Sequence, residues 1–387
     1  MGGNAPEVSV VMPCLNEEAT IGICIAKAKR TIERLKLNAE IVISDNGSTD
    51  KSVSISKALG ARVVHQPLKG YGMAYLKGFA EARGKYIVMG DSDDSYDWTD
   101  IGRFITPLRE GYDMVMGSRL KGKIDPGAMP VLHRRLGNPI LTAILRLFFG
   151  VNVSDAHCGM RSITKSALKS LDLRTGGMEF ASEMVIKAGQ RKLKIKEVPI
   201  RLRKDKRVTK PHLRTWRDGW RHLRFMLLMS PTWLFLIPGA IAFTLGILLM
   251  ILLSVGPLFL GILVLDIHTL LVSSLLTILG AQLLGAGLFA KMYAFRHGIA
   301  LKQSKAIRLL ERISLEKGVL IGLVVVLAGL VLDAIVLFRW ILNDFGNLDA
   351  IRPAVLGSTL IILGFQVIFS SFFTGILSLN VSSRGNK

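Results

Sequence analysis

Apolar residues in this chain follow two different rhythms. Over roughly the first 210 positions, short β-branched runs (VSVVMP, AEIVISD, ARVVHQ, GKYIVMGD and YDMVMGS) alternate with segments of helix-forming composition such as Glu18 to Lys36. Strands alternating with helices predict an α/β domain with a mostly parallel sheet, whose ligand site lies beyond the C-terminal strand ends. Polar clusters fall at those ends: Pro13 to Glu17, Asp45 to Asp50, Asp91 to Asp94 and Gly117 to Arg119. From Thr232 onward the rhythm changes to four apolar stretches, near 232–254, 268–290, 318–338 and 354–379. Each is close to the ~20 residues that cross a bilayer, which predicts an α-helical membrane domain with four transmembrane helices.

Between these regions lies HLRTWRDGWRHLRFMLLMSP. Leu213, Trp216, Trp220, Leu223 and Leu227 recur at helical spacing, while Arg214, Arg217, Arg221 and Arg224 fill the other positions. That pattern predicts a helix lying on anionic headgroups. The 291–317 connector, with Tyr293, Phe295, Ile299, Ile307, Leu310 and Ile313 among its basic residues, reads the same way. The resulting division is a catalytic-size domain at 1–211, an interfacial helix at 212–231, spans one and two at 232–290, a basic connector at 291–317, and spans three and four with a short tail at 318–387.

Composition sharpens this division. The 387 residues carry 50 Lys and Arg against 29 Asp and Glu, a formal charge of +21, yet mean hydropathy is +0.40. The two properties are segregated: 39 of the basic residues precede Pro231 and 7 lie between Lys291 and Lys317. This excludes a purely soluble protein and a disordered basic tail, and leaves no nucleic-acid partner to invoke. Ser254 to Ile267 has no Lys or Arg, whereas Arg384 and Lys387 close the chain, so the positive-inside bias predicts cytosolic termini and a cytosolic catalytic domain. The first residues lack the basic and apolar regions of a secretory signal, in keeping with that orientation. Cys14, Cys24 and Cys158 have no metal-ligand or disulfide spacing. Asp266 and Asp333 read as interfacial residues near span ends.

The DSDD run, Asp91 to Asp94, follows an apolar strand and so presents carboxylates on a turn, a donor set suited to a hard divalent cation shared with a diphosphate. A second acidic turn, SDNGSTD, places Asp45 where it can accept hydrogen bonds from a base or ribose. Gly70-Tyr71-Gly72 lacks the third glycine of a dinucleotide fingerprint. His157 and Cys158 read as packing residues, and Glu179 and Glu183, four apart on a helix facing the site, as charges near a helix N-terminus.

The motifs VVMPCLNEE, VISDNGSTD, KGYGMA, GDSDDSYD, GSR, DAHCGMR and TWRDGWRHLRF together carry a resemblance that covers the whole polar part of the chain. The sequence resembles the inverting, GT-A-fold family 2 glycosyltransferases, and among them the polyprenyl-phosphate enzymes that include dolichyl-phosphate mannose and glucose synthases. The resemblance implies that Pro13, Leu15, Glu17, Ile43, Asp45, Asp91, Ser92, Arg119 and Lys210 bind the nucleotide-sugar. It implies Mg²⁺ or Mn²⁺ held by Asp91, Asp93 and Ser95, where Ser95 replaces a more usual Gln. It makes Asp93 and Arg119 catalytic, and gives Arg119, Arg134, Arg135 and Lys210 the acceptor phosphate. The segment KDKRVTK departs from the family's glycine-containing loop at Lys204, Arg207 and Thr209.

Physical chemistry agrees with the absence of a general base. A lipid phosphate is already an oxyanion at neutral pH and attacks the anomeric carbon directly, so what it requires is cationic positioning. In-line attack on an α-linked donor yields a β-linked lipid product. The expected partners are a nucleotide-sugar (UDP-glucose or GDP-mannose), polyprenyl phosphate and the membrane, and homo-oligomer contacts through the spans stay open. Two competing readings are a processive polysaccharide synthase, whose Gln-x-x-Arg-Trp motif is absent, and a non-catalytic transporter or scaffold for lipid-linked sugar.

Overall fold

The computed structural model describes residues 5–206, 215–296, 308 and 314–378. It divides into two compact units, Met1–Met226 and Leu227–Lys387.

The first unit is built on a seven-stranded sheet. Its strands are β1 (Val8–Cys14), β2 (Ala39–Asp45), β3 (Arg62–His65), β4 (Tyr86–Met89), β5 (Met114–Ile124), β6 (Arg161–Thr164) and β7 (Ile195–Leu202), in the order β3-β2-β1-β4-β6-β5-β7. Five were expected from their β-branched runs. β6 and β7 were not: RSIT is four residues long, and IKEVPIRL mixes charges and a proline into its apolar positions. β1 pairs in parallel with β2 and β4, and β5 with β7, while β6 runs antiparallel between β4 and β5. β1, β2 and β4 are almost continuously buried, as strands covered on both faces should be.

Helix α1 (Ile21–Arg34) shows how the sheet is covered. Ile21, Cys24, Ile25, Ala28 and Thr31 recur every three or four residues and are all buried. They join a core with Val8, Val10, Met12, Ile43, Trp98 and Phe104. Ile43, expected in the nucleotide pocket, is therefore a core residue with no exposed surface. Burial pushes the thiols of Cys14 and Cys24 up to about 11 and about 12, so both remain protonated packing groups.

The last helix of this unit, α8 (Thr215–Leu228), inverts the usual pattern of a surface helix. Its polar Asp218 and His222 are buried together with Met226, whereas Trp216 and Trp220 are 80% and 56% exposed. A second stripe of the same kind went unread in the sequence. A π-helical turn (His133–Gly137) runs into α5 (Asn138–Phe149), and Leu132, Leu136, Ile140 and Leu147 lie exposed at helical spacing.

The second unit contains four helices long and apolar enough to cross a membrane, spanning Thr232–Val255, Ile267–Arg296, Leu315–Leu342 and Ile351–Leu377. They follow the expected stretches within a few residues. A short hairpin, β8 (Leu258–Leu260) and β9 (Leu263–Leu265), joins α9 (Ile237–Val255) to α10 (Ile267–Arg296). Small residues let the helices approach: a Cβ at Gly280 would lie 2.3 Å from Phe243 N. Between α11 (Leu315–Leu342) and α12 (Ile351–Ser378), a Cβ at Gly329 would lie 2.6 Å from Gly357 O. Ser274 Oγ and Thr359 Oγ1, 2.6 Å apart, tie α10 to α12, and Arg352 pairs with Asp266 and donates to Leu253 O. Asp333 is not at a helix end. It lies inside α11, with Oδ1 buried where a Cβ on Gly357 would approach to 2.1 Å. The Arg214, Leu213, Arg384 and Lys387 readings, and most of the 291–317 connector, lie outside the described residues.

Candidate active site

Strand register decides what meets at the sheet edge. Cys14 is level with Asp45, Val11 with Met89, and His65 with Asp45, so the segments after β1, β2 and β4 emerge side by side. Arg161 at the start of antiparallel β6 is level with Met89 and with Met116 of β5. The DAHCGM segment before β6 and the GSR segment of β5 are thereby delivered to the same edge. The expected clusters do converge, and an antiparallel strand brings a further one.

In the first cluster, Pro13 O accepts a hydrogen bond from Ser92 Oγ at 2.6 Å, which stitches the DSDD turn to the end of β1. Leu15 is partly exposed, and Glu17 is buried with its carboxylate accepting from Thr20 Oγ1 at 3.0 Å. Asp45 accepts from Gly47 N, Ser48 N and His65 Nδ1 at 3.1–3.2 Å and so closes the NGS turn. Burial would raise its pKa, but the hydrogen bonds from Ser48, His65 and Gly47 outweigh that and hold it below the usual carboxylate range. Asp45 thus supports the turn as well as lying where a nucleoside was expected.

The four residues of DSDD have separate environments. Asp91 Oδ1 accepts from Tyr71 Oη at 2.9 Å and Tyr75 Oη at 3.3 Å. Asp93 Oδ1 accepts from Ser95 N at 3.0 Å and Ser95 Oγ at 2.6 Å. Ser95, expected as a metal ligand, is therefore a brace for the Asp93 carboxylate. Asp94 has φ of 60° and a fully buried side chain ion-paired to Lys27 and Lys206. Those lysines outweigh burial and keep it ionised, so Asp94 is a structural anion. Asp91 and Asp93 are the carboxylates of this turn that would serve as hard donors, and the Gly159 backbone packs close to Asp91 Oδ2, which a Cβ there would approach to 2.9 Å. Such a pair would suit a hard divalent cation that also takes oxygens from a diphosphate. Among the described residues, no group of three or more His, Cys, Asp or Glu builds a complete protein cage.

Arg119 lies in a two-point ion pair. Its Nε and Nη2 donate to Asp155 Oδ2 and Oδ1 at 2.7 and 2.8 Å, and Asp155 also accepts from Arg119 N at 3.0 Å. Burial disfavours the guanidinium charge, but the Asp155 carboxylate more than compensates and raises its pKa well above the ordinary value. Arg161, fully buried, donates to the carbonyls of Cys158, Ala181 and Ala156 and fixes the loop that carries Asp155. His133, on the basic turn, is held below its usual pKa by burial and by the Arg119 charge. Arg134 and Arg135 on this turn are exposed. Lys210 lies outside the described residues.

Behind Arg119 runs a buried relay. His157 Nε2 is 3.2 Å from Ser182 Oγ, which is 2.8 Å from His222 Nδ1 on α8. Burial holds His222 down to about 4 and His157 well below its ordinary value, so both rings are neutral near pH 7. Glu183 accepts from the backbone N–H groups of Arg174 and Thr175 and pairs with Lys187, so it braces a loop; Glu179 Oε2 is buried without a hydrogen-bond partner. Sequence reasoning missed Asp155, Tyr71, Tyr75 and Ser182 as parts of this site. Asp155 and Tyr71 had a visible signal, their places in the DAHCGMR and KGYGMA motifs.

The comparisons with known proteins follow this geometry. Residues 9–172 match the glycosyl transferase family 2 model, and residues 288–378 match the glycosyltransferase family 2 C-terminal transmembrane region. The chain is 40% identical to the low-salt glycan biosynthesis hexosyltransferase Agl6 of Haloferax volcanii, over 96% of this chain and 89% of that protein. It is 31% identical to a dolichyl-phosphate hexose transferase of the same organism, over 53% of this chain and 86% of that protein. A crystal structure of Mycobacterium tuberculosis glucosyl-3-phosphoglycerate synthase with Mn²⁺, UDP and glucosyl-3-phosphoglycerate is 26% identical, covers 58% of this chain and 78% of that one, and has a TM-score of 0.45. The near full-length match settles the lineage: the chain belongs to the family 2 glycosyltransferases.

Proposed function

We propose that this enzyme transfers a hexose, with inversion, from a nucleotide-sugar to polyprenyl phosphate at the cytosolic face of the membrane. The observation that carries the reading is the convergence, at one sheet edge, of the Asp45 turn, the Asp91–Asp93 turn and Arg119, in a chain that continues into four apolar helices. Relatives named for hexose transfer and for transfer to dolichyl phosphate support the acceptor class.

In this reading the nucleoside lies against Pro13, Leu15, Glu17 and Asp45, and its diphosphate reaches Asp91 and Asp93. Those two carboxylates would hold a divalent cation, Mg²⁺ or Mn²⁺, which would supply positive charge to offset that on the departing diphosphate. Arg119, Arg134, Arg135 and Lys210 hold the acceptor phosphate by charge-assisted hydrogen bonds. The Asp155 fork fixes Arg119 in place before substrate arrives, so little orientation is left to achieve during reaction. A phosphate oxygen forms the new bond to the anomeric carbon while the bond to the nucleoside diphosphate breaks, and no proton need leave the acceptor. The exposed Leu132, Leu136, Ile140 and Leu147 and the outward Trp216 and Trp220 offer apolar surface on the catalytic unit for the polyprenyl chain.

The test is to incubate the purified protein with Mg²⁺ or Mn²⁺, polyprenyl phosphate and, separately, labelled UDP-glucose and GDP-mannose, then count label extracted into organic solvent. Metal-dependent label from one donor is the expected result. Product with retained anomeric configuration, or label in a growing polymer, would contradict the reading.

A further inference from the structure

Tyr71 and Tyr75 open α3 (Tyr71–Glu81), four residues apart, so their phenols share one helix face. Both hydroxyls reach the same oxygen, Asp91 Oδ1, at 2.9 and 3.3 Å. The rings themselves are locked. Tyr75 stacks on Phe180, the first residue of α7 (Phe180–Gln190), with centroids 5.5 Å apart and planes 5° from parallel; Tyr71 meets Tyr75 edge-on at 5.0 Å. The helix start is clamped as well. A Cβ at Gly70, where φ is +146°, would lie 2.2 Å from Gly176 O, and one at Gly72 would lie 2.3 Å from Thr175 O, while Met73 N donates to Gly176 O. Only glycine permits that approach. Across the carboxylate, Oδ2 faces Gly159.

An aspartate side chain left to itself rotates its terminal torsion broadly. A carboxylate with one oxygen tethered by two phenols on a rigid aromatic stack does not.

We infer that Tyr71 and Tyr75 are positioning residues for nucleotide and metal binding: by tethering Oδ1 from a locked aromatic stack they fix the rotation of the Asp91 carboxylate at the candidate site. This rests on the reading of Asp91 given under the proposed function. Neither tyrosine touches the reacting atoms. Their effect is expressed in the affinity and pre-organisation of the site, as for other groups that orient a metal ligand, whose loss costs about 10- to 100-fold in affinity or activity.

The test uses the full-length protein and Mn²⁺ with UDP and with GDP, read by the electron paramagnetic resonance of bound Mn²⁺ and by donor KM and kcat. Tyr71→Phe and Tyr75→Phe keep both rings and remove only the hydroxyls. The expected result is a Mn²⁺–nucleotide affinity at least about 10-fold weaker for Tyr71→Phe, with a smaller loss for Tyr75→Phe, whose hydrogen bond is longer. The double variant should be no worse than the sum of the two, donor KM should rise more than kcat falls, and melting temperature should stay within a few degrees of the parent. Parent-like Mn²⁺–nucleotide affinity in both single variants and the double variant would overturn the inference while leaving the functional reading intact. So would a loss matched by Phe180→Ala at equal loss of melting temperature, since that would mark the tyrosines as packing only. No Mn²⁺–nucleotide binding by the parent would overturn both.

Discussion

Arg119 and Asp155 face each other in a fork of two parallel hydrogen bonds, Nε to Oδ2 at 2.7 Å and Nη2 to Oδ1 at 2.8 Å, with the Asp155 side chain fully buried. Removing one member of such a pair leaves the other charge buried and uncompensated, a loss of about 3–5 kcal/mol. Asp155→Ala should therefore lower stability by that amount in denaturant titration, and turnover should fall because Arg119 is no longer held. Arg119→Lys should not rescue turnover, since an ammonium cannot form the fork. Equal stability of Asp155→Ala and the parent would show the fork to be incidental.

The neighbouring aspartates of DSDD should separate cleanly. Asp93→Asn should abolish most hexose transfer, by about 100-fold or more, with a smaller loss of melting temperature than Asp94→Asn. Asp94→Asn breaks the pairing to Lys27 and Lys206 and should chiefly lower the melting temperature. The measurement is turnover and thermal unfolding on both variants, and reversal of the two phenotypes would refute the assignment of Asp94 as structural.

Acid should loosen the α8 attachment. His222 has its pKa lowered to about 4 against an ordinary 6.5, the first cause being burial. Below pH 6.5 the unfolded chain takes up a proton that the folded chain refuses, so stability falls as pH drops from 6.5 and levels out near 4. The shift corresponds to about 3 kcal/mol from this group alone. Above pH 6.5 it contributes nothing. Melting temperature against pH should show a shallower acid decline in His222→Gln than in the parent, and identical slopes would remove His222 from the explanation.

The exposed stripe on the 132–147 segment is expected to serve the lipid acceptor rather than the sugar donor. Leu136→Glu combined with Ile140→Glu should raise KM for polyprenyl phosphate several-fold and leave donor KM unchanged, because both side chains are already outside the core. An unchanged acceptor KM would assign the stripe elsewhere.

The limits of the sequence reading have a topological cause. Parallel strands β1, β2 and β4 announce themselves as long β-branched runs because both faces are covered, so Asp45 and the DSDD turn were visible as polar residues at strand ends. β6 is four residues long and includes the buried Arg161, whose guanidinium is satisfied by three backbone carbonyls. Nothing in RSIT signals a strand, and without an antiparallel β6 there is no reason to bring Asp155 to Arg119. The α8 sequence alternates apolar and basic positions at helical spacing. The inward face is nevertheless polar, since Ser182 offers His222 a partner that no local pattern reveals. The 132–147 stripe was obscured because Pro130, Gly137 and Pro139 punctuate it and Arg134 and Arg135 drew the eye to charge. The partners of Ser95 and Asp94, Asp93 for one and two lysines for the other, are not legible from the DSDDS run itself.

The central claim is that the acceptor attacks as a ready-made phosphate oxyanion, with cationic residues and no general base. The most direct measurement compares transfer of labelled hexose to polyprenyl phosphate and to the matching polyprenol, under identical donor, metal and detergent conditions. The account predicts metal-dependent label in the polyprenyl phosphate reaction and none above background with polyprenol. Comparable transfer to both would mean that an alcohol is activated in this site, and would contradict it.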